Sequence, residues 1–523
     1  MKNSLKKIAL AALPTMALFS TVITYSTELK ETIPDEYITS IRSVNSFRQS
    51  GKISFGGLEG NAEIIFQSPD KTVTKYDLGE FKFSQIYDGH TAWMRDQNDQ
   101  VVELTGNERQ KVINTAYMAG FSYLLDDRMP GKVVFAGDTL LAEKKYCFFI
   151  AYPDGGDSIK LLVNPVNGRL EMTEEYIDEV LVRTYQKDFR LINGIEFPFL
   201  YQSESTIPQL NSTLEIADVQ LNVPIPDSVF QTGAVSKVDF QFIGNLDSVV
   251  VPIKFVNGHI FVRVHVNSSK EAYFILDSGA GSNIVDKTFA GQLGLTVSGE
   301  VASKGVAGYE TAALTHVDSI VVGQVALLDQ TAAIADLSAL NITLPEKPAG
   351  LLGYDFISRF PIRINYSTST LVMFNPAIFD SPDSALAIDL DFMMKIPVIS
   401  AKIDSIKGRF LVDLGNSLGL ILHKPFSDKH NLEAGFSDIK EMKRTIGGIG
   451  GMTEAYAATG KTFQMGNCTI DNPPLLIAGG DAGAIRSSNV DGNIGNLMLM
   501  KFDLLLDYNA RKLYLFPRRA DMK

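Results

Sequence analysis

Residues 273–286, YFILDSGAGSNIVD, carry an apolar strand into Asp277, Ser278 and Gly279 and then return to apolar residues. A buried strand that ends on a carboxylate, a hydroxyl and a glycine reads in two ways. An acid followed by Ser or Thr and then Gly arises by chance about a few tenths of a time in a chain of this size, and then marks only a turn. The other reading is one half of a paired-aspartate site, which demands a second half elsewhere.

Comparing the chain with itself locates that half. One pattern opens at Val251 with VPIKFVNGHIFVRVHVNSSKEAYFILDSGAGSNIV and closes from Ala349 with AGLLGYDFISRFPIRINYSTSTLVMFNP. A second opens at Met394 with MKIPVISAKIDSIKGRFLVDLGNSLGLIL and closes from Asp491 with DGNIGNLMLMKFDLLLDYNARKLYLFP. Asp277 and Asp413 are 136 residues apart, Gly353 and Gly495 are 142 apart, and so the two spacings differ by only six. Such agreement indicates duplicated folding units, and a period this long makes a two-lobed pair, not an array. Val262, Val264 and Val266 alternate as a strand does, and NSSK supplies the turn. Between its landmarks each unit carries a glycine-rich stretch, KGVAGYETAAL (304–314) and IGGIGGMTEAY (446–456), suited to a tight hairpin tip.

These residues resemble the pepsin/retropepsin class of aspartic peptidases, and among them bacterial retropepsin-like aspartyl proteases. The likeness spans roughly residues 245 to 520 and is more specific in the first lobe. It rests on the strand ending in Asp-Ser-Gly, the LLG landmark at 351–353 and IGGIGG at 446–451, which is similar to a retroviral protease flap. The resemblance implies a catalytic pair, Asp277 and Asp413, one from each lobe at a pseudo-twofold axis. It implies support from Ser278, Gly279, Gly415 and Asn416, and flaps over the cleft at Gly305, Gly308 and Tyr309 and at Gly448, Gly450 and Gly451. Gly353 and Gly495 are the matching landmarks of the two lobes. Two carboxyls about 3 Å apart cannot both ionise, so one keeps a proton while the other acts as base toward a shared water. The implied substrate is an extended peptide bound as a strand.

The second motif departs from the family pattern. Leu414 stands where the family has Thr or Ser, whose hydroxyl ties the lobes together, and Asn416 is the candidate substitute donor. Losing one buried hydrogen bond costs about 1 kcal/mol, more if Ser278 is left unpaired. The alternative is therefore a catalytically impaired peptide- or lipopeptide-binding protein that keeps the cleft. A third reading is a homodimer through lobe one, with lobe two decorative.

GNSLG at 415–419 also fits the Gly-x-Ser-x-Gly elbow of serine hydrolases. That chemistry needs an acid and then a histidine well downstream. After Ser417 only His423 and His430 remain, with Asp428 between them, and long helices do not alternate with strands as that fold requires. The six histidines are scattered, and packed or surface roles are their default reading.

Bulk properties limit the partners. The 523 residues suffice for about three units, and 45% apolar with 21% charged residues is a globular composition. A net charge of −12 with no basic block argues against a nucleic-acid surface. Cys147 and Cys468 fit no zinc spacing and read as two buried thiols, so neither a metal nor another cofactor is expected.

Lys2, Lys6 and Lys7 precede an apolar run from Ile8 to about Tyr25, the layout of a signal peptide over 1–27. This reading places the protein outside the cytoplasm, in the periplasm or cell envelope of a bacterium or secreted. An uncleaved anchor is the other reading of the run.

Residues 28–235 show successive short strands with turns and one helix-like interval, NERQKVINTAYMAGFSYLL (107–125), which favours an antiparallel sheet. YDGHTAW, DFRLINGIEFPF and NVPIPDSVF make it similar to the LolA/LppX-like half-barrel of outer-membrane lipoprotein-sorting proteins. That resemblance implies a lipid or lipoprotein partner; a substrate-presenting module or an inhibitory pro-part are the other readings. Asp88, Gly89 and Trp93 read as turn and core residues.

The expected architecture is mainly β, a pair of acid-protease lobes (236–380 and 381–523) behind this half-barrel. It would act as a monomer with an intramolecular pseudo-dimer.

Overall fold

The computed structural model describes residue 29 and residues 33–141, 143–177, 179–231, 236–305, 308–341, 347–382, 386–435, 443–448, 451–479 and 483–518. The segment read as a signal peptide, 1–27, lies outside the described residues. The fold is mainly β with large antiparallel sheets.

The first sheet has thirteen strands, all antiparallel to their neighbours where the register is defined, from Ser46–Phe55 to Ser212–Leu221. Its first and last strands pair with each other, so the open edges are Val101–Glu103 and Gly131–Leu141. The helix Gly106–Ala119 links those two edges and buries Val112, Ile113, Ala116 and Tyr117 against the sheet. Asp88 Oδ1 accepts the amides of His90 (2.8 Å) and Thr91 (2.7 Å), and Gly89 has φ +97°, so this stretch is a side-chain-closed turn. Trp93 lies half-buried in the next strand, Ala92–Arg95. Leu29, Ile33 and Ile41 pack in one apolar cluster with Phe66, Phe149 and Phe197 of the sheet.

The two lobes repeat one topology. In lobe one, Ala272–Leu276 runs parallel to Gly350–Leu352, which is antiparallel to Ile284–Asp286. In lobe two, Ile406–Val412 runs parallel to Gly492–Ile494, which is antiparallel to Leu420–Leu422. Gly353 and Gly495 each cap a four-residue helix, Tyr354–Ile357 and Asn496–Leu499. Neither has room for a side chain, because a Cβ would strike the Ser282 carbonyl in one lobe and the Leu418 carbonyl in the other.

A six-stranded sheet joins the lobes through Ile362–Asn365 and Phe502–Asp507, with Arg363 opposite Leu505. Those partners are 142 residues apart, as are Gly353 and Gly495. The local twofold axis therefore passes through this pair, and one continuous apolar core runs beneath both lobes.

The first sheet docks on both lobes. Asn98 Oδ1 accepts the Thr331 amide at 2.8 Å in lobe one. Lys395, ahead of the first long strand of lobe two, reaches Asp96 at 2.6 Å. Both thiols are free; Cys468 is buried, but Cys147 is only half-buried, at the edge of the apolar cluster that Phe149 and Ala151 of its strand enter, which corrects the expectation of two buried thiols.

Candidate active site

Each aspartate follows a buried strand, and the strand that caps each lobe's centre fixes its backbone. Asp277 N–H donates to the Leu352 carbonyl at 2.9 Å, and Asp413 N–H donates to the Ile494 carbonyl at 3.0 Å. These are equivalent bonds, since Leu352 and Ile494 precede the two landmark glycines. The carboxyls meet across the twofold axis. A Cβ on Gly279 would lie 2.5 Å from Asp413 Oδ1 and 3.1 Å from Asp277 Oδ1, so those oxygens face a common point. A Cβ on Gly415 would collide with the Asp277 carboxyl. Each glycine thus clears space for the other lobe's acid.

Backbone amides point at both acids. Gly279 N–H donates to Asp277 Oδ1 at 2.8 Å, and Asn416 N–H to Asp413 Oδ1 at 2.9 Å. The side chains are half-buried, so solvent reaches a floor that is otherwise walled by protein. Burial, followed by the nearby Asp413 charge, pushes Asp277 up to about 7. Asp413 is also raised by burial, opposed by the Asn493 amide and the backbone amides of Asn416 and Gly415. Such a pair holds one proton and one charge near neutrality.

Ser278 is not left unpaired by Leu414. Its Oγ donates to the Val412 carbonyl at 2.6 Å and accepts the Leu414 amide at 2.9 Å, so it uses lobe two's backbone whatever side chain stands at 414. The Leu414 side chain is fully buried. Asn416 departs from expectation as well. Its backbone serves Asp413, while its side-chain Oδ1 accepts the Leu418 amide at 3.0 Å and its Nδ2 is buried without a partner. The side chain closes a turn on its own loop instead of reaching across to the pair.

Both glycine-rich stretches form hairpins. Gly299–Lys304 pairs with Tyr309–Val322, and Gly305 N–H donates to the Gly308 carbonyl at 2.7 Å. Lys443–Gly448 pairs with Gly451–Thr459, Gly448 opposite Gly451; Gly450 lies outside the described residues. The Gly305 carbonyl accepts the Ala484 amide of lobe two at 3.0 Å. The lobe-one hairpin also leans on the first sheet, where Val301 and Leu314 join its core and a Cβ on Gly299 would strike Leu58.

Three residues were given no part in this site by the sequence reading. Asn493 Nδ2 donates to Asp413 Oδ2 at 2.9 Å, and His423 Nε2 meets Asn493 Oδ1 at 2.8 Å. Tyr508, in the turn between the strands Phe502–Asp507 and Lys512–Pro517, buries its hydroxyl without a hydrogen-bond partner in the field of both acids. Asn493 had a signal, being a polar residue in NIG where lobe one has LLG. Ser417 of the GNSLG stretch packs against Gly258, and His423 bonds Asn493 and Ser487 instead of Ser417.

A family model described as aspartyl protease matches residues 262–356. No curated protein sequence matches the chain significantly. Among solved structures, a DUF1329 family protein from Desulfovibrio piger is 13% identical, with 41% of this chain and 98% of that chain covered at a TM-score of 0.31. A LolA superfamily protein from Nitrosomonas europaea is 15% identical, covering 40% and 99% at 0.30. A retropepsin-like aspartic protease from Rickettsia conorii is 20% identical, covering 24% and 87% at 0.18. Across lobe one the chain is similar to the aspartyl proteases, the resemblance its Asp277-Ser278-Gly279 motif carries.

Proposed function

We propose that the protein is an aspartic endopeptidase in which Asp277 and Asp413 share one water. The observation that carries this reading is the convergence of the two carboxyls on one point, each lobe's glycine making room for the other lobe's acid. The charged acid takes a proton from the water as its oxygen attacks the peptide carbonyl, and the neutral acid protonates the carbonyl oxygen. The hairpins around 305–310 and 446–452 act as flaps over an extended peptide, which adds as a strand between them and the acids. The units are 1–27, an export signal; 28–235, the half-barrel; and the lobes 236–380 and 381–523. One chain supplies both acids, so the working form is a monomer.

Placement in a bacterial periplasm or envelope follows from the Lys-then-apolar opening, and a lipid or lipoprotein partner for the first sheet from its LolA-like strand pattern. Among the described residues no helix is long and apolar enough to cross a membrane.

The test is cleavage of a denatured protein by the purified chain across pH, beside Asp277→Asn and Asp413→Asn. Both substitutions are expected to abolish cutting, and wild-type cutting is expected to decline above about pH 7, where Asp277 loses its proton. Loss with Asp277→Asn alone would point to a homodimer through lobe one. Leu414 in the place of a hydroxyl favours one second reading, a peptide binder without turnover. Peptide binding by a wild type that never cuts would select it.

A further inference from the structure

The two lobes differ at the residue two positions before the landmark glycine, Leu351 in one and Asn493 in the other. Asn493 lies on Gly492–Ile494 opposite Ile421, and His423 follows directly after the strand that contains Ile421. The imidazole is 1% exposed, with Nε2 at 2.8 Å from Asn493 Oδ1 and Nδ1 at 3.2 Å from the Ser487 carbonyl. A carboxamide has one accepting end and one donating end. Both ring contacts are to acceptors and a neutral imidazole has one N–H; with that proton on Nε2, at the shorter contact, Nε2–H donates to Oδ1 and the NH2 end faces Asp413, where Nδ2 lies 2.9 Å from Oδ2. Asp413 Oδ1 takes the Asn416 amide, so both of its oxygens receive donors. Among the described residues Asp277 receives backbone amides alone. The groups facing the pair are Tyr508 and, beyond it, Tyr354, while Asp491 is the charged neighbour of His423.

We propose that Asn493, oriented by His423, is a positioning residue that holds Asp413 as the charged member of the pair and leaves the shared proton on Asp277. This rests on the peptidase reading for its chemistry, and it assigns the two roles. Asp413 takes the proton of the attacking water as the oxygen–carbon bond forms. The carbonyl's electron pair moves onto its oxygen, which takes the Asp277 proton and gives a geminal diol. One hydroxyl then returns its proton to Asp277 as the carbonyl re-forms, the carbon–nitrogen bond breaks, and the leaving nitrogen takes the proton held by Asp413.

The test reads the charge directly as well as through turnover. A small epoxide is opened by an ionised carboxylate, which forms an ester while the epoxide oxygen gains a proton from solvent. Treating the purified full chain with such an epoxide near pH 5 and mapping the ester by peptide mass is expected to place it on Asp413. Asn493→Leu, the residue lobe one carries, is expected to lower the Asp413:Asp277 labelling ratio at least fivefold. His423→Leu is expected to lower it as well, whereas His423→Gln, which keeps an N–H donor, is expected to restore it. In peptide cleavage, Asn493→Leu is expected to move the acid limb of the kcat profile up by about one pH unit with KM unchanged.

Labelling of Asp277 in the wild type, or a ratio unmoved by both Asn493→Leu and His423→Leu, would overturn the assignment. A wild type that labels at Asp413 yet never cleaves would remove the peptidase reading and leave the assignment standing.

Discussion

Ser278 and Leu414 are joined across the two lobes by a buried hydrogen bond, the Leu414 amide donating to Ser278 Oγ at 2.9 Å. The same hydroxyl donates to the Val412 carbonyl at 2.6 Å, so one lobe-one side chain clips the lobe-two backbone on both sides of Asp413. Leu414, being apolar, returns no such clip to lobe one. Ser278→Ala is therefore expected to cost about 1–3 kcal/mol by leaving a buried amide and carbonyl unpaired. Ser278→Thr keeps the hydroxyl and is expected to retain most of that stability. Thermal unfolding of the three chains checks this, and an alanine variant as stable as wild type would refute it.

Gly415 is fixed by the acid opposite it, not by its own backbone angles. A methyl group there would occupy the space of the Asp277 carboxyl, so Gly415→Ala is expected to push that acid aside without unfolding the lobe. Displacement of a reacting group by about 1 Å can cost about 100-fold in rate. The expected outcome is a loss of that order in kcat with an unchanged circular dichroism spectrum. Gly291, beside which a Cβ would meet nothing, is the control.

The duplication, its β-rich lobes and the antiparallel first sheet were legible because they depend on periodicity and on paired landmarks spaced alike. Leu414 was legible as a departure, but its consequence was not. Whether Ser278 finds partners depends on main-chain groups of the other lobe, and those carry no sequence signature. Asn416 misled for a related reason: an asparagine after a turn closes its own loop more readily than it reaches across an axis. Lys395 and Asp96 are 299 residues apart and look like ordinary surface charges until the first sheet is docked on the lobes.

The Asp277 carboxyl ties stability to pH. Its folded-state pKa, pushed up to about 7, is above its unfolded value, so the folded chain binds more protons between about pH 4 and 7. Its ionisation at higher pH then opposes folding, and stability rises as pH falls through about 7. Asp277→Asn removes that penalty. The variant is expected to exceed wild type by about 1–3 kcal/mol at pH 8 and to match it near pH 4. Urea titrations at the two pH values measure it, and an advantage that is equal at both would exclude this linkage.

Lys395 holds the first sheet to both lobes at once. Its ammonium lies 2.6 Å from Asp96 of the sheet and 3.5 Å from Asp355, the second residue of the short helix after Gly353. Burial alone would raise Asp96, but the Lys395 charge and hydrogen bond outweigh it and hold that carboxyl below its usual value. Asp355 stays raised by burial in spite of Lys395. Lys395→Met takes the contacting cation from two buried carboxyls and leaves them only the more distant Arg359 charge, and breaking such a pair on one side costs about 3–5 kcal/mol. In wild type the Asp96 contribution is present above the unfolded carboxyl value and is lost only as pH falls through its lowered one. In the variant both acids are raised, so the defect is expected to be largest at pH 8 and to shrink toward pH 4.5 as they protonate. Asp96→Asn with Lys395→Met is expected to recover part of the loss at pH 8. A defect that is constant with pH, or untouched by the second change, would show that Lys395 acts by packing its stem and not through its charge.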